Sequence, residues 1–75
     1  MKEIKVKEKL FTLFIKWYNQ DIGKVRSQAV TVSDRINYFN EDDELIAYTY
    51  LYGGVSHYIN KKYYNMMFVV DNRKK

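Results

Sequence analysis

His57 is the only histidine in the chain, and there is no cysteine. A histidine that acts as a base or a ligand needs partners. Strand pairing counted outward from the predicted turns aligns Asp34, Tyr50 and His57 across three strands. An Asp that orients a His beside a Tyr hydroxyl outlines an acid–base set. Ser33 and Ser56 fall on the other face of the same sheet, so no nucleophile lies beside the base. The row reads better as polar groups that satisfy one another inside a core. The chain is therefore read as non-enzymatic, with no catalytic residue.

The run Glu41, Asp42, Asp43, Glu44 is the other concentration of chemistry. Calcium loops space their ligands around the ion and need a Gly for the sharp turn. A contiguous run without Gly lacks that spacing and reads as a solvated hairpin loop whose charge steers a basic partner. Gly53-Gly54 has no Lys-Ser/Thr after it and is flanked by strand-forming residues, so it is a turn and not a phosphate loop. No metal, cofactor or small-molecule substrate is expected.

The elements that carry these residues belong to one small domain of 75 residues. A chain this short buries only about 60% of the surface it exposes when unfolded. Without disulfides its core must be hydrophobic, and 47% apolar and 17% aromatic residues supply one. No apolar run reaches the roughly 18 residues of a membrane span. The basic N-terminus turns apolar, but Lys16 interrupts the stretch and there is no small-residue cleavage site, so it is not read as a signal peptide. A cytoplasmic protein is expected. The compact, Cys-free, Tyr- and Lys-rich composition suits a small accessory protein of a phage or mobile element.

Residues 4–22 place Val6, Leu10, Phe11, Leu13, Phe14, Ile15, Trp17, Tyr18 and Ile22 in one wide sector of a helical wheel. The spacing predicts a helix over about 5–22, with Gly23 as its C′ residue at positive φ. Residues 2–7 alternate and suit a short strand equally well. Lysines with Trp17 and Phe14 would also fit a helix lying on a membrane surface. The rest of the chain needs a cover, however, so the apolar face is assigned to the protein's own sheet.

Turn signals at 40–44, 53–54 and 60–62 separate four strands, about 28–39, 45–52, 55–60 and 63–70, with a frayed tail at 71–75. Counting outward from the turns pairs Tyr38 with Ile46, Tyr50 with His57, Tyr48 with Ile59, and His57 with Met66. One face then collects Val30, Val32, Ile36, Tyr38, Ile46, Tyr48, Tyr50, Tyr52, Val55, His57, Ile59, Tyr64, Met66, Phe68 and Val70 under the helix. The expected fold is α+β: one N-terminal helix on a four-stranded antiparallel meander, with a small curled barrel under a helix lid as the alternative. In this register Tyr48, Tyr50 and Tyr52 are core, not a stacking platform for nucleic acid.

The opposite face leaves Leu51, Tyr58, Tyr63, Met67 and Val69 uncovered, which marks a partner or homodimer site. With Glu41, Asp42, Asp43 and Glu44 they form the candidate partner-binding set. The favoured reading is a regulator or inhibitor that acts by protein–protein contact. The alternative rests on charge. Residues 1–26 and 61–75 each carry a net +4, and the middle is acidic. Lys2, Lys5, Lys9, Lys16, Arg73, Lys74 and Lys75 would then contact nucleic-acid phosphates.

Overall fold

The structure is a computed structural model that describes residues 2–73. Its order is β1 (Glu3–Val6), α1 (Glu8–Asp21), β2 (Arg26–Val30), a 3₁₀ turn (Thr31–Ser33), β3 (Arg35–Phe39), β4 (Leu45–Tyr50), β5 (Ser56–Asn60) and α2 (Lys61–Arg73). The strands form one open antiparallel sheet in the order β1-β5-β4-β3-β2. The class is α+β as expected. Among the described residues the sheet has five strands instead of four, there are two helices instead of one, and the sheet does not close into a barrel. No helix among the described residues is long and apolar enough to cross a membrane.

α1 presents Phe11, Phe14, Trp17 and Tyr18 at helical spacing, and all four are buried. They pack on Ile46, Ala47 and Ile59 of the sheet and are closed off by Tyr63 and Met67 of α2. Full burial of side chains of this kind is worth roughly 1.5–3 kcal/mol each. Glu8 in the first turn complements the helix dipole. At the other end, the amides of Ile22 and Gly23 both donate to the Tyr18 carbonyl. Gly23 does follow the C-cap residue Ile22, the C′ position expected of it, but not at positive φ. A Cβ there would come within 2.6 Å of Glu41 Oε1, so its use is close approach to the 40–44 loop.

The element boundaries correct two expectations and settle a third. The long strand 28–39 folds back on itself as the β2–β3 hairpin, turning through Asp34 at φ 51°. Asp tolerates the left-handed region because its short polar side chain bonds locally. Residues 63–70 are helix, not strand. Asn60 Oδ1 accepts the Lys62 amide at 3.0 Å, an N-cap to the second helical residue, so the expected third turn is a helix start. Within residues 2–7, Glu3–Val6 form the strand β1, which pairs with β5, and Lys7 is the N-cap position of α1.

The register of β4 is a further correction. Phe39 faces Leu45, as counting out from the 40–44 loop requires, but Tyr38 faces Ala47, not Ile46. Ile46 is the extra residue of a β-bulge. The next connection is the five residues 51–55, not Gly53-Gly54 alone, so Tyr50 faces Ser56, Thr49 faces His57, and Tyr48 faces Tyr58. The residues of β4 beyond the bulge therefore change sides. Ala47 and Thr49 lie under the helices, while Tyr48 and Tyr50 point away from them. Volume gives the reason: four aromatics from α1 already fill that layer, and small residues beneath them permit close packing.

Candidate functional site

The face of the sheet opposite the helices is assembled by the period-two alternation of its strands. β1 supplies Glu3 and Lys5, β3 supplies Arg35 and Asn37, β4 supplies Tyr48 and Tyr50, and β5 supplies Ser56 and Tyr58. No helix covers this face among the described residues, because α1 and α2 share one core on the other side.

Its centre is a three-layer stack. The Tyr48 and Tyr58 rings lie 4.8 Å apart and 20° from parallel, and the Arg35 guanidinium carbon sits 3.8 Å from the Tyr48 ring centroid. Arg35 comes from β3 and Tyr58 from β5, so they flank Tyr48 on β4 from both sides. The Tyr48 hydroxyl donates to Glu3 Oε1 at 3.1 Å. Burial, together with this bond and the Glu3 charge, raises the Tyr48 pKa, which keeps the hydroxyl a donor. Glu3, Arg35, Tyr48, Tyr50 and Tyr58 line an open depression of about 310 Å³. Arg26 repeats the motif at one margin, 4.8 Å over the Phe39 ring. Arg35 Nε and Asn37 Oδ1 are buried without a hydrogen-bond partner. Trp17 Nε1, in the core on the other side of the sheet, is unpaired in the same way.

The partner-binding residues read from the sequence divide. Tyr58 is on this face. Leu51 is exposed at the end of β4. Tyr63 and Met67 are each only 6% exposed. They are removed from the surface because α2 turns them into the core, which corrects their assignment. The side chain of Val69 lies outside the described residues.

The acidic loop is organised inward. Asn40, 7% exposed, accepts the amides of Asp42 and Glu44 at 2.9 Å each. Its Nδ2 donates to the hydroxyls of Tyr18 and Tyr63 at 3.2 and 3.3 Å and to Glu44 Oε1 at 3.3 Å. The Tyr63 hydroxyl donates to Glu44, whose pKa it lowers, while burial and that carboxylate push Tyr63 up. Asp43 pairs with Arg26 at 2.7 Å, and Glu44 lies 3.8 Å from Lys62. Glu41 packs near Gly23. With Asp43 and Glu44 already paired, the loop offers a partner less charge than its composition implies.

The basic residues of the nucleic-acid reading are not gathered either. Lys2 and Lys5 are exposed on the β1 edge, Lys5 toward the open face. Lys9 and Lys16 are exposed on α1, on the other side of the sheet. Lys74 and Lys75, and the side chain of Arg73, lie outside the described residues. The Asp34–Tyr50–His57 row does not form, because Tyr50 is on the opposite face. His57 instead stacks on Phe11 at 4.6 Å, and its Nδ1 shares a hydrogen bond with Thr49 Oγ1 at 2.9 Å. No group of three or more His, Asp or Glu among the described residues could hold a metal ion.

Arg35, Tyr48, Tyr50 and Glu3 are the site residues that sequence reasoning missed. One signal was present: Arg35 is the only basic residue between positions 27 and 60 apart from His57, and it stands within strand-forming sequence. Comparison with family models, with curated proteins and with solved structures finds no match, so the function rests on the chain's own residues.

Proposed function

We propose that this chain is a non-enzymatic binding protein, a regulator or inhibitor that engages a protein partner through the open face of its sheet. The observation that carries the reading is the Arg35–Tyr48–Tyr58 stack. Tyr and Arg dominate the energetic centres of protein interfaces, and here neighbouring strands hold them ready. The same geometry argues against base stacking. A nucleic-acid platform needs free ring faces, and both faces of Tyr48 are taken. What the stack offers outward is ring edges, hydroxyls and a guanidinium, which suit polar and apolar groups of a protein surface.

Arg35→Ala and Tyr58→Ala, used as paired baits beside the wild type in an extract of the source cells, test the reading. The expected result is one protein partner that both substitutions release. Retention of that partner by both variants overturns it. A short single-stranded oligonucleotide is the competing probe. Binding at low salt that fades as salt rises would transfer the function to nucleic acid.

A further inference from the structure

The depression on the open face holds a guanidinium that no carboxylate of the described residues neutralises. Arg26 at the margin is paired with Asp43, but no ion pair of the described residues reaches Arg35. Glu3 is the one carboxylate that lines the depression, and it accepts the Tyr48 hydroxyl instead. Arg35 lies over the Tyr48 ring at 3.8 Å from its centroid, so stacking occupies one side of the guanidinium plane. The N–H groups along the edge of that plane take no part in the stack. Tyr50 and Tyr58 line the same depression and bring phenol hydroxyls, which donate well to an anion. Lys5 stands opposite Tyr58 on this face. Arg35 and Lys5 against Glu3 leave one positive charge in excess around the stack.

We infer that the depression takes a single carboxylate of the protein partner, an Asp or Glu side chain that accepts two parallel N–H bonds from the Arg35 guanidinium. The inference rests on the protein-binding reading above and adds the chemistry of its central contact. Charge complementarity selects the occupant: one positive charge in excess is matched by one carboxylate. Geometry agrees, since the planar edge of a guanidinium fits a planar carboxylate bidentately. The Tyr48 ring holds that edge in place before the partner arrives, so little side-chain freedom is lost on binding. The aromatic walls of Tyr48, Tyr50 and Tyr58 exclude water and strengthen the attraction. A nucleic-acid backbone fits less well. It brings a row of charges and needs a row of free cations, whereas Arg26 is already paired and Glu3 stands within the depression.

A double-mutant cycle tests the inference on the protein that the wild-type chain captures. That protein is purified, its surface Asp and Glu residues are neutralised one at a time to Asn or Gln, and each variant is titrated with the wild-type chain and with Arg35→Gln. The expected result is that Arg35→Gln weakens binding about tenfold or more, that one partner carboxylate does the same, and that the two losses do not add. Arg35→Lys is the second variant. It keeps the cation over the ring and removes the two-bond geometry, so it too should weaken binding, with an unchanged thermal midpoint. Coupling below about twofold at every partner carboxylate overturns the inference. So does Arg35→Lys or Arg35→Gln binding like the wild type. Sodium phosphate that displaces the partner at concentrations where sodium acetate has no effect assigns the depression to phosphate and overturns the carboxylate. If Arg35→Ala and Tyr58→Ala both retain the partner, the protein-binding reading fails and this inference with it. If both release the partner and no carboxylate couples to Arg35, the inference fails alone.

Discussion

Asn40→Ala is expected to remove a large part of the protein's stability, and the size of the loss can be worked from the hydrogen bonds. The Asn40 carbonyl oxygen accepts two amides of its own loop, at 2.9 Å each. Its NH₂ has two protons for three acceptors, the Tyr18 and Tyr63 hydroxyls and Glu44 Oε1. At most four good bonds coexist. Each is worth about 0.5–1.5 kcal/mol net. The loop amides recover water when the side chain goes, and Tyr63 keeps its bond to Glu44. The expected loss is therefore about 2–3 kcal/mol, toward the lower end of the sum. Small domains have only about 5–15 kcal/mol in total. For a chain of this size the thermal midpoint would fall by roughly 10–20 °C. Urea titration followed by the fluorescence of Trp17, a buried residue, measures the loss directly. Asn40→Asp is the companion variant. It keeps the acceptor for the two amides but sets a second carboxylate beside Glu44, so its deficit should shrink as pH falls and the introduced carboxylate protonates. A loss below about 0.5 kcal/mol in Asn40→Ala, with an unchanged urea dependence, would refute the view that Asn40 organises this loop.

Stability should also depend on pH at both extremes. Glu44 is depressed below 4.5 in the fold, chiefly by the Tyr63 hydroxyl, so its contribution is present above that value and lost as the solution is acidified through the lowered pKa. Tyr63 is raised above 10, chiefly by burial, so the neutral phenol contributes below pH 10 and that contribution is lost as pH rises beyond it. Tyr63→Phe should flatten both limbs in denaturation curves collected across pH. Tyr48→Phe deletes an exposed bond to Glu3 but leaves the stack, so it should cost no more than about 1 kcal/mol. Ala47→Leu should cost about 1–3 kcal/mol, because Ala47 is fully buried beneath α1 and extra methyl groups overpack the layer. Gly54→Val, at φ 114°, should cost about 1–3 kcal/mol through backbone strain alone, since open space surrounds the position. Thermal melts rank these variants.

Local pattern alone determined several elements. The 3.6-residue spacing of Phe11, Phe14, Trp17 and Tyr18 assigns α1 and its buried face, because one helix turn brings those positions together. The polar 40–44 run marks a hairpin, and its first pair, Phe39 with Leu45, is set by loop length. The segment after Asn60 was ambiguous in sequence: residues 63–70 are apolar at nearly every position, which hides the period. The N-cap bond of Asn60 and the burial of Tyr63 and Met67 against α1 make that segment a helix. The return at Asp34 was masked by strand-forming residues on both sides of a turn with no Gly or Pro.

The candidate site depended most on tertiary structure. Alternation has period two, so one bulged residue exchanges the faces of everything beyond it. Ile46 is that residue, and both of the registers open to β4 place hydrophobic groups on the helix side. Only the packed molecule distinguishes them, because Tyr48 and Tyr50 do not fit beneath four aromatics of α1 where Ala47 and Thr49 do. Sequence alone therefore determined that an aromatic sheet lies beneath an amphipathic helix. The volume available under that helix decided which tyrosines turn outward to meet Arg35.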